Sequence, residues 1–125
     1  MLANRDAIAT IAVRNAKAAS QFYEGVLGFK PVASEQGSVL RYRSGQSTLL
    51  VYESKYAGTN QATSATWGVG DELDEVVKTL KAKGVVFEHY DLPGLTRQGD
   101  VHLVGTFKAA WFKDPDGNIL HVNSG

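Results

Sequence analysis

The chain has 125 residues, with 13 Lys and Arg against 13 Asp and Glu, and no Cys. Its length favours a single domain over 1–125, and the absence of Cys excludes a disulfide framework, a thiolate metal site and a cysteine nucleophile. A formal charge of zero gives no general attraction for nucleic acid or anionic lipid. The sequence has no signal-peptide pattern and no apolar run of membrane-spanning length, so we expect a cytoplasmic protein.

The first half of the sequence is typical of a βαβββ arrangement. The β-branched and small residues of Ile8–Val13 predict a buried strand. Asn15 predicts a helix N-cap, and the apolar residues that follow at helical spacing continue until Gly28 stops the helix. Three extended segments are predicted next, separated by turn-like sequences: Lys30–Glu35, Val39–Arg43 and Ser47–Glu53.

The second half repeats this order after a polar connector. Residues Ser54–Ser64 lack apolar periodicity, and Ala65–Val69 then predicts a strand. Asp71 predicts the N-cap of a second helix, whose apolar stripe ends before Gly84. The remaining strand candidates are Val85–Tyr90, Val101–Gly105, Thr106–Phe112 and Ile119–Val122.

The two halves agree at a fixed offset, which indicates an internal duplication. The strand end, helix cap and helix stop each recur 56 residues apart, at Val13 and Val69, Asn15 and Asp71, and Gly28 and Gly84. The closing segments align better at an offset of 70, because the second half gains residues between about Glu88 and Gly105. The sequence therefore predicts an α+β fold with two modules, at about 6–54 and 64–125, joined by a linker at 55–63.

Two motifs support this organisation. One is Phe-Tyr-Glu-Gly-Val-Leu-Gly-Phe at 22–29, and the other is Trp-Phe-Lys-Asp-Pro-Asp-Gly-Asn-Ile-Leu at 111–120. Together with the duplicated module, they resemble the vicinal oxygen chelate superfamily, which includes glyoxalase I, bleomycin-resistance proteins and extradiol dioxygenases. The resemblance covers about Ile8–Val122 and implies two tandem βαβββ modules that form a curled mixed sheet around a cleft.

Both motifs also have structural interpretations. Asp114–Gly117 has the composition of a tight turn, because Pro presets φ and Gly accepts a positive φ. Phe22, Tyr23 and Leu27 lie at the spacing of one helix face, so we expect them to pack that helix against its sheet rather than to contact a ligand.

In metal-dependent members of that superfamily, His or Gln on the first strand and Glu on the last strand of each module are the usual ligands. The corresponding positions here are Ile8, with Ala9 and Thr10 as alternatives, and Ser64, Val51 and His121. Only His121 among them could bind a metal strongly. A register error of one residue would add Thr10, Glu53 or Thr66 without completing a His-plus-carboxylate set. We therefore expect no metal and no cofactor.

The other His residues and the acidic residues leave a further alternative open. His89 and His102 lie on the inserted stretch, where we expect a solvated or loop-anchoring role for each. A metal-free acid–base reaction could use His121 with Glu53 or Glu88, because His titrates near neutral pH.

A cleft of the kind that the resemblance implies would be lined by aromatic side chains with a few polar anchors. The candidates for ligand binding are Trp67, Tyr52, Trp111, His121 and Arg41. Either Trp could instead fill the core. The inserted residues Asp91–Asp100 form a long loop or hairpin that could cover the cleft as a lid.

These observations favour a metal-free protein that holds a partly apolar or aromatic small molecule, as bleomycin-resistance-like proteins do. The alternatives are a divergent lyase, isomerase or dioxygenase of the same superfamily, and an interaction module with a vestigial cleft. The resemblance also implies a homodimer, in which the modules pair within one chain or exchange between subunits. With a balanced charge, we expect neither nucleic acid nor a membrane as a partner.

Overall fold

Two similar units follow one another along the chain in the computed structural model, which describes residues 1–32 and 39–125. The first unit contains β1 (Ala9–Val13), α1 (Ala16–Gly25), β2 (Val39–Ser44) and β3 (Ser47–Glu53). The second contains β4 (Thr63–Gly68), α2 (Leu73–Ala82), β5 (Phe87–Glu88), β6 (Thr96–Gln98), β7 (Val101–Val104), β8 (Phe107–Lys113) and β9 (Ile119–Asn123). The predicted α+β class is confirmed.

Each unit builds its own mixed sheet. The first sheet has the order β1-β3-β2, with β1 parallel and β2 antiparallel to β3. The second has the order β4-β9-β8-β7-β6, with β4 parallel to β9, while β5 pairs with the far end of β8. The edge strands β1 and β4 lie beside each other, so the two sheets adjoin along these strands. Within the described residues, neither helix has the length and apolar sequence that a membrane crossing requires.

Side chains alternate between two sides of each sheet, as the pleat of a strand requires. One side packs on the helices and forms the core, which includes Ile11 and Val51 in the first sheet and Leu120 and Val122 in the second. The opposite side carries more polar residues, such as His121, and we call it the open face. Helices on one side only leave this second side available for other contacts.

Helix α1 begins as the sequence predicts. The Oδ1 of Asn15 accepts the Ala18 amide at 2.8 Å, which caps the free N–H groups of the first turn. A second cap comes from β3, where Glu53 Oε2 accepts the Ala16 amide at 2.8 Å. The helix ends at Gly25, and Gly28 then turns the chain with a φ of 80°.

The predicted N-cap at Asp71 is wrong. A 3-10 turn at Gly70–Glu72 precedes α2, so Asp71 lies within this turn, one residue before the N-cap position. The residue at that position, Glu72, makes no side-chain cap bond. Gly70 has a φ of 59°, which lets the chain enter this extra turn directly after β4. At the other end of α2, Gly84 has a φ of 94° and matches Gly28 at the predicted offset.

Two further predictions concern the segment before β2 and the inserted stretch. Of Lys30–Glu35, Pro31 forms an isolated bridge to Tyr42, and residues 33–35 lie outside the described part of the chain. The inserted stretch forms a hairpin, because β6 pairs antiparallel with β7 across a tight turn in which Gly99 has a φ of 64°. This agrees with the hairpin alternative for Asp91–Asp100.

A buried carboxylate ties the two units together at the β8–β9 turn. Asp114 Oδ2 accepts the Tyr23 hydroxyl of α1 at 2.7 Å and the Asn118 side-chain amide at 2.8 Å. Its Oδ1 accepts the backbone amides of Asp116 and Asn118 at 2.9 Å each. Asn118 Nδ2 also donates to the Ala12 carbonyl of β1 at 2.8 Å. The predicted turn is confirmed, and it also joins the units.

The electrostatics of Tyr23 agree with this geometry. Burial raises the pKa of its phenol strongly, and the Asp114 charge and hydrogen bond raise it further. The hydroxyl therefore keeps its proton and donates it to the carboxylate at neutral and moderately alkaline pH. On the surface of the same turn, Arg14 Nη1 pairs with Asp116 Oδ1 at 3.1 Å.

We expect Tyr23→Phe to lower the free energy of unfolding by about 1.5–3 kcal/mol, because the buried Asp114 carboxylate loses a charge-assisted donor. Tyr42→Phe is the matched control. Tyr42 is also buried, but its hydroxyl donates to Glu24 in a less buried setting, so a loss of about 1 kcal/mol or less is expected. Urea denaturation measures both losses, and equal values would contradict the central role of Asp114.

Candidate functional site

A row of paired residues crosses the open face of the second sheet. Thr66 of β4 pairs with His121 of β9, His121 pairs with Trp111 of β8, and Trp111 pairs with Glu88 of β5. Cross-strand partners share a face, so these four side chains are neighbours on the open face. The adjoining row contains His102 of β7, which pairs with Ala109.

A cavity of about 720 Å³ lies against this face, in the size range of small-molecule sites. It combines aromatic, aliphatic and polar side chains with two glycines. The lining residues are Gly58, Asn60, Gln61, Ala62, Thr63, Glu88, Tyr90, Leu92, Trp111, Lys113, Gly117 and Ile119. At its edge, Lys113 Nζ pairs with Glu88 Oε1 at 3.3 Å, so the two charges compensate each other.

Ring contacts on three sides hold Trp111 in place. The indole stacks on His121 with 4.4 Å between ring centroids and an interplanar angle of 22°. Tyr90 and His102 meet it edge-on, at centroid distances of 5.4 and 5.0 Å. Contacts on three sides favour a single orientation of the indole, so Trp111 forms an ordered part of the cavity wall.

His121 is held as a neutral ring with both nitrogens in use. Its Nδ1 lies 3.1 Å from the Ala110 carbonyl, which can only accept, so Nδ1 carries the proton. The Nε2 lone pair then accepts from Asn123 Nδ2 at 3.2 Å. Burial lowers the pKa of His121, the Ala110 carbonyl opposes this shift, and His102 adds to it. The atom that would bind a metal or take a proton is thus covered.

The register of the second module corrects one of the expected metal positions. Thr10 pairs with Leu50 and Thr66 pairs with His121, so the counterpart of His121 is Leu50 rather than Val51, at an offset of 71. Val51 is fully buried on the helix-facing side. The physical reason is the longer connection between β8 and β9, because a shift of one residue moves a side chain to the other face of a strand.

The residues at these positions do not fit a divalent cation. On the open face, Thr10, Leu50, Thr66 and His121 offer two hydroxyl groups and one imidazole whose lone pair is engaged by Asn123. Across residues 1–32 and 39–125, no three or more His, Cys, Asp or Glu side chains cluster as a metal would require. A site for a divalent metal needs several charged or strongly donating ligands.

The acid–base alternatives have different outcomes. Glu53 lies on the helix-facing side and caps α1 through the Ala16 amide. The prediction that Glu53 could act with His121 in an acid–base reaction is therefore wrong. Glu88 lies on the open face, but Trp111 separates it from His121 by two strand spacings, about 10 Å in total. Glu88 also pairs with Lys113.

The predicted ligand-binding residues lie in three places. Trp111 and His121 are stacked on the open face of the second sheet, and Trp111 lines the cavity. Arg41 and Tyr52 lie on the open face of the first sheet. Trp67 is on the helix-facing side, where its ring is 5.8 Å from Phe29 and Nε1 donates to Ser44 Oγ at 2.8 Å. Of the five candidates, only Trp111 lines the cavity, with His121 stacked on it.

The loop-anchoring role predicted for the other two His residues is confirmed. His89 Nε2 lies 2.8 Å from Asp100 Oδ1, and Lys81 Nζ of α2 lies 2.9 Å from the other oxygen of Asp100. These two contacts lower the pKa of Asp100. His102 is fully buried rather than solvated, and its Nε2 accepts the Tyr90 amide at 2.8 Å.

Sequence comparison identifies the family to which the chain belongs. A model of the Glyoxalase/Bleomycin resistance protein/Dioxygenase superfamily matches residues 6–122. The chain belongs to this superfamily. No curated protein matches the chain.

Solved structures with the same fold include three resistance or glyoxalase-like proteins. A bleomycin resistance determinant encoded on the transposon Tn5 is 18% identical, with a TM-score of 0.71 and 98% of each chain covered. The fosfomycin resistance protein FosX from Listeria monocytogenes is 16% identical, with a TM-score of 0.68, over 100% of this chain and 93% of that one. A glyoxalase/bleomycin resistance protein/dioxygenase from Alicyclobacillus acidocaldarius is 20% identical, with a TM-score of 0.70, over 96% and 90%. At these identities the likeness shows the fold alone.

One glycine docks the cavity-lining loop on the turn that joins the units. Gly58 has a φ of 80°, and a Cβ added there would lie 2.6 Å from the Asp116 carbonyl oxygen and 2.7 Å from Arg14 Nη2. The first of these atoms is backbone and cannot move aside easily. The close approach sets the position of the neighbouring residues 60–63 along the cavity.

We expect Gly58→Ala to destabilise the protein by about 2 kcal/mol or more, since the new methyl group adds a backbone clash to the cost of a left-handed conformation. Gly94→Ala is the control, because Gly94 has a φ of 85° but open space around its Cβ position. Its cost should stay near about 1 kcal/mol. If urea denaturation gives the same loss for both variants, the 58–63 loop does not depend on this contact.

Proposed function

We propose that the chain is a metal-free small-molecule-binding protein, which holds a partly apolar or aromatic ligand in the cavity beside Trp111. The observation that carries this proposal is the cavity of about 720 Å³ with an immobilised indole in its wall. A wall that is already ordered loses little conformational entropy when a ligand binds.

The lining favours a neutral, largely planar ligand. Trp111 and Tyr90 supply aromatic surface, while Leu92 and Ile119 supply aliphatic surface. The charges of Glu88 and Lys113 compensate each other, so neither is left to attract an ion. Asn60, Gln61 and Thr63 supply amide and hydroxyl groups that can orient a polar substituent.

The state of His121 supports binding rather than chemistry. Its Nε2 lone pair accepts from Asn123 and is not free to bind a metal or take a proton, and the lowered pKa of the ring makes it a weaker base. In this proposal His121 stacks on one face of the Trp111 indole, and the ligand contacts the part of the indole that lines the cavity.

Tryptophan fluorescence tests the site directly. Trp67→Phe leaves Trp111 as the only indole, and we expect neutral planar probes such as naphthol, quinoline and coumarin to quench it saturably. Trp111→Ala should raise the Kd at least about tenfold, which corresponds to about 1.4 kcal/mol, whereas Trp67→Phe should leave it nearly unchanged. Calorimetry measures the Kd of the Trp111→Ala variant. The proposal fails if no probe binds or if Trp67→Phe weakens binding as much.

A metal assay separates this function from the alternative of a divergent lyase, isomerase or dioxygenase. We expect the purified protein to contain less than stoichiometric Ni, Zn, Fe and Mn, and chelator treatment to leave probe affinity unchanged. Stoichiometric metal that disappears in His121→Ala would instead support the enzymatic alternative. A Kd that rises after chelation would have the same meaning.

Membership of the superfamily supports a homodimer as the assembly. We expect analytical ultracentrifugation at micromolar concentration to give twice the 13.5 kDa mass of the chain. A mass near that of one chain would contradict it. A cytoplasmic location stays a prediction, and the expectation of neither nucleic acid nor a membrane as a partner still rests on the balanced charge.

A further inference from the structure

His102 lies directly behind the aromatic wall of the cavity. The residue is fully buried on β7, its Nε2 accepts the Tyr90 backbone amide at 2.8 Å, and its ring is 5.0 Å from that of Trp111. Tyr90 and Trp111 both line the cavity. Its ring also lies 5.9 Å from that of Tyr90, so His102 contacts both aromatic residues of the wall without lining the cavity itself.

The hydrogen bond to Tyr90 requires the neutral ring. A backbone N–H can only donate, so Nε2 must keep its lone pair and Nδ1 must carry the proton. That Nδ1 is buried and has no hydrogen-bond partner in the described part of the chain. A second proton would attach to Nε2, remove the acceptor and place N–H against N–H.

The surroundings of His102 disfavour that second proton. Burial is the largest effect and lowers the pKa of His102, whereas the Ala109 backbone raises it. The geometry at Nδ1 does not amount to a hydrogen bond. The charged and titratable groups that face it are Arg97 on β6, His89, Tyr90 and Asp91 on the segment before β6, and His121 on β9. Of these, Arg97 and His89 lower the pKa of His102, and Asp91 raises it.

We propose that His102 is a positioning residue for the cavity: its neutral form fixes the Tyr90 segment against Trp111, and its protonation releases this segment and weakens the retention of ligand. This inference rests on the proposed binding function, because it describes how that binding is regulated. The direction follows from the lone pair. Above the pH at which His102 gains a proton, the Tyr90 amide keeps its acceptor and its segment stays beside Trp111. Below that pH, the amide loses its acceptor.

The same exchange of protons affects stability with a definite sign. The unfolded chain protonates this residue near its ordinary pKa of 6.5, whereas the folded chain resists protonation. The stabilisation that neutral His102 provides is therefore complete above about pH 6.5 and is lost progressively as the pH falls below it. The lowered pKa of His121 acts in the same direction, so the experiment must separate the two residues.

The test compares ligand affinity at about pH 7.5 with that at the lowest pH at which circular dichroism shows the protein still folded, because burial moves the protonation of His102 below an ordinary His pKa. For wild type, we expect the Kd of naphthol to rise at least about fivefold at the lower pH. His102→Gln keeps a carbonyl acceptor for the Tyr90 amide but does not titrate, so its affinity should resemble wild type at the higher pH and stay constant. His89→Gln and His121→Gln are the controls and should retain the pH response. The proposal is overturned if the response disappears with His121→Gln instead.

A second measurement needs no ligand and distinguishes failure of this inference from failure of the proposed function. Amide hydrogen exchange at Tyr90, corrected for the intrinsic pH dependence, should lose protection at the lower pH in wild type but not in His102→Gln. If naphthol fails to bind and the Tyr90 amide still responds, the proposed function is wrong and the positioning role stands. If the Tyr90 amide of wild type is equally protected at both values, the positioning role is wrong.

Discussion

The burial of one carboxylate determines how the rest of this structure is arranged. A charged group inside a protein is costly unless hydrogen bonds replace the lost water, and Asp114 receives four of them. One donor comes from α1 of the first unit, and three come from the β8–β9 turn of the second. Asn118 extends the same network to the Ala12 carbonyl of β1. With the turn fixed to α1 and β1, the edges β1 and β4 lie side by side.

Local patterns in the sequence were enough to predict much of this fold. The Asn15 cap, the glycine stops at Gly28 and Gly84, and the strand alternation all depend on short-range backbone and solvent effects. The N-cap at Asp71 could not be predicted in the same way, because an acidic residue before an apolar stripe suits a cap and a preceding 3-10 turn equally well. The position of the helix start was decided by how β4 leads into it.

The candidate site was harder to predict, because its residues meet through long-range pairing. His121 and Trp111 could be selected from the strands that flank the Asp114 turn, and the structure stacks them. Trp67 also lies in a predicted strand, as Trp111 does. The register of β4 against β9 nevertheless places Trp67 beside Val122 on the helix-facing side. Tyr90 and Leu92 had no local signal at all, since their position depends on the β5–β8 pairing and on the hairpin that follows.

The hairpin of β6 and β7 also breaks the symmetry that a duplication would otherwise impose. Both modules have the same strand and helix order, but only the second has the inserted segment that brings Tyr90 and Leu92 against Trp111. The first sheet consists of β1, β3 and β2 alone within the described residues. The cavity beside Trp111 is lined by the second module and by the linker before it, so the proposed binding function corresponds to one ligand per chain at this cavity.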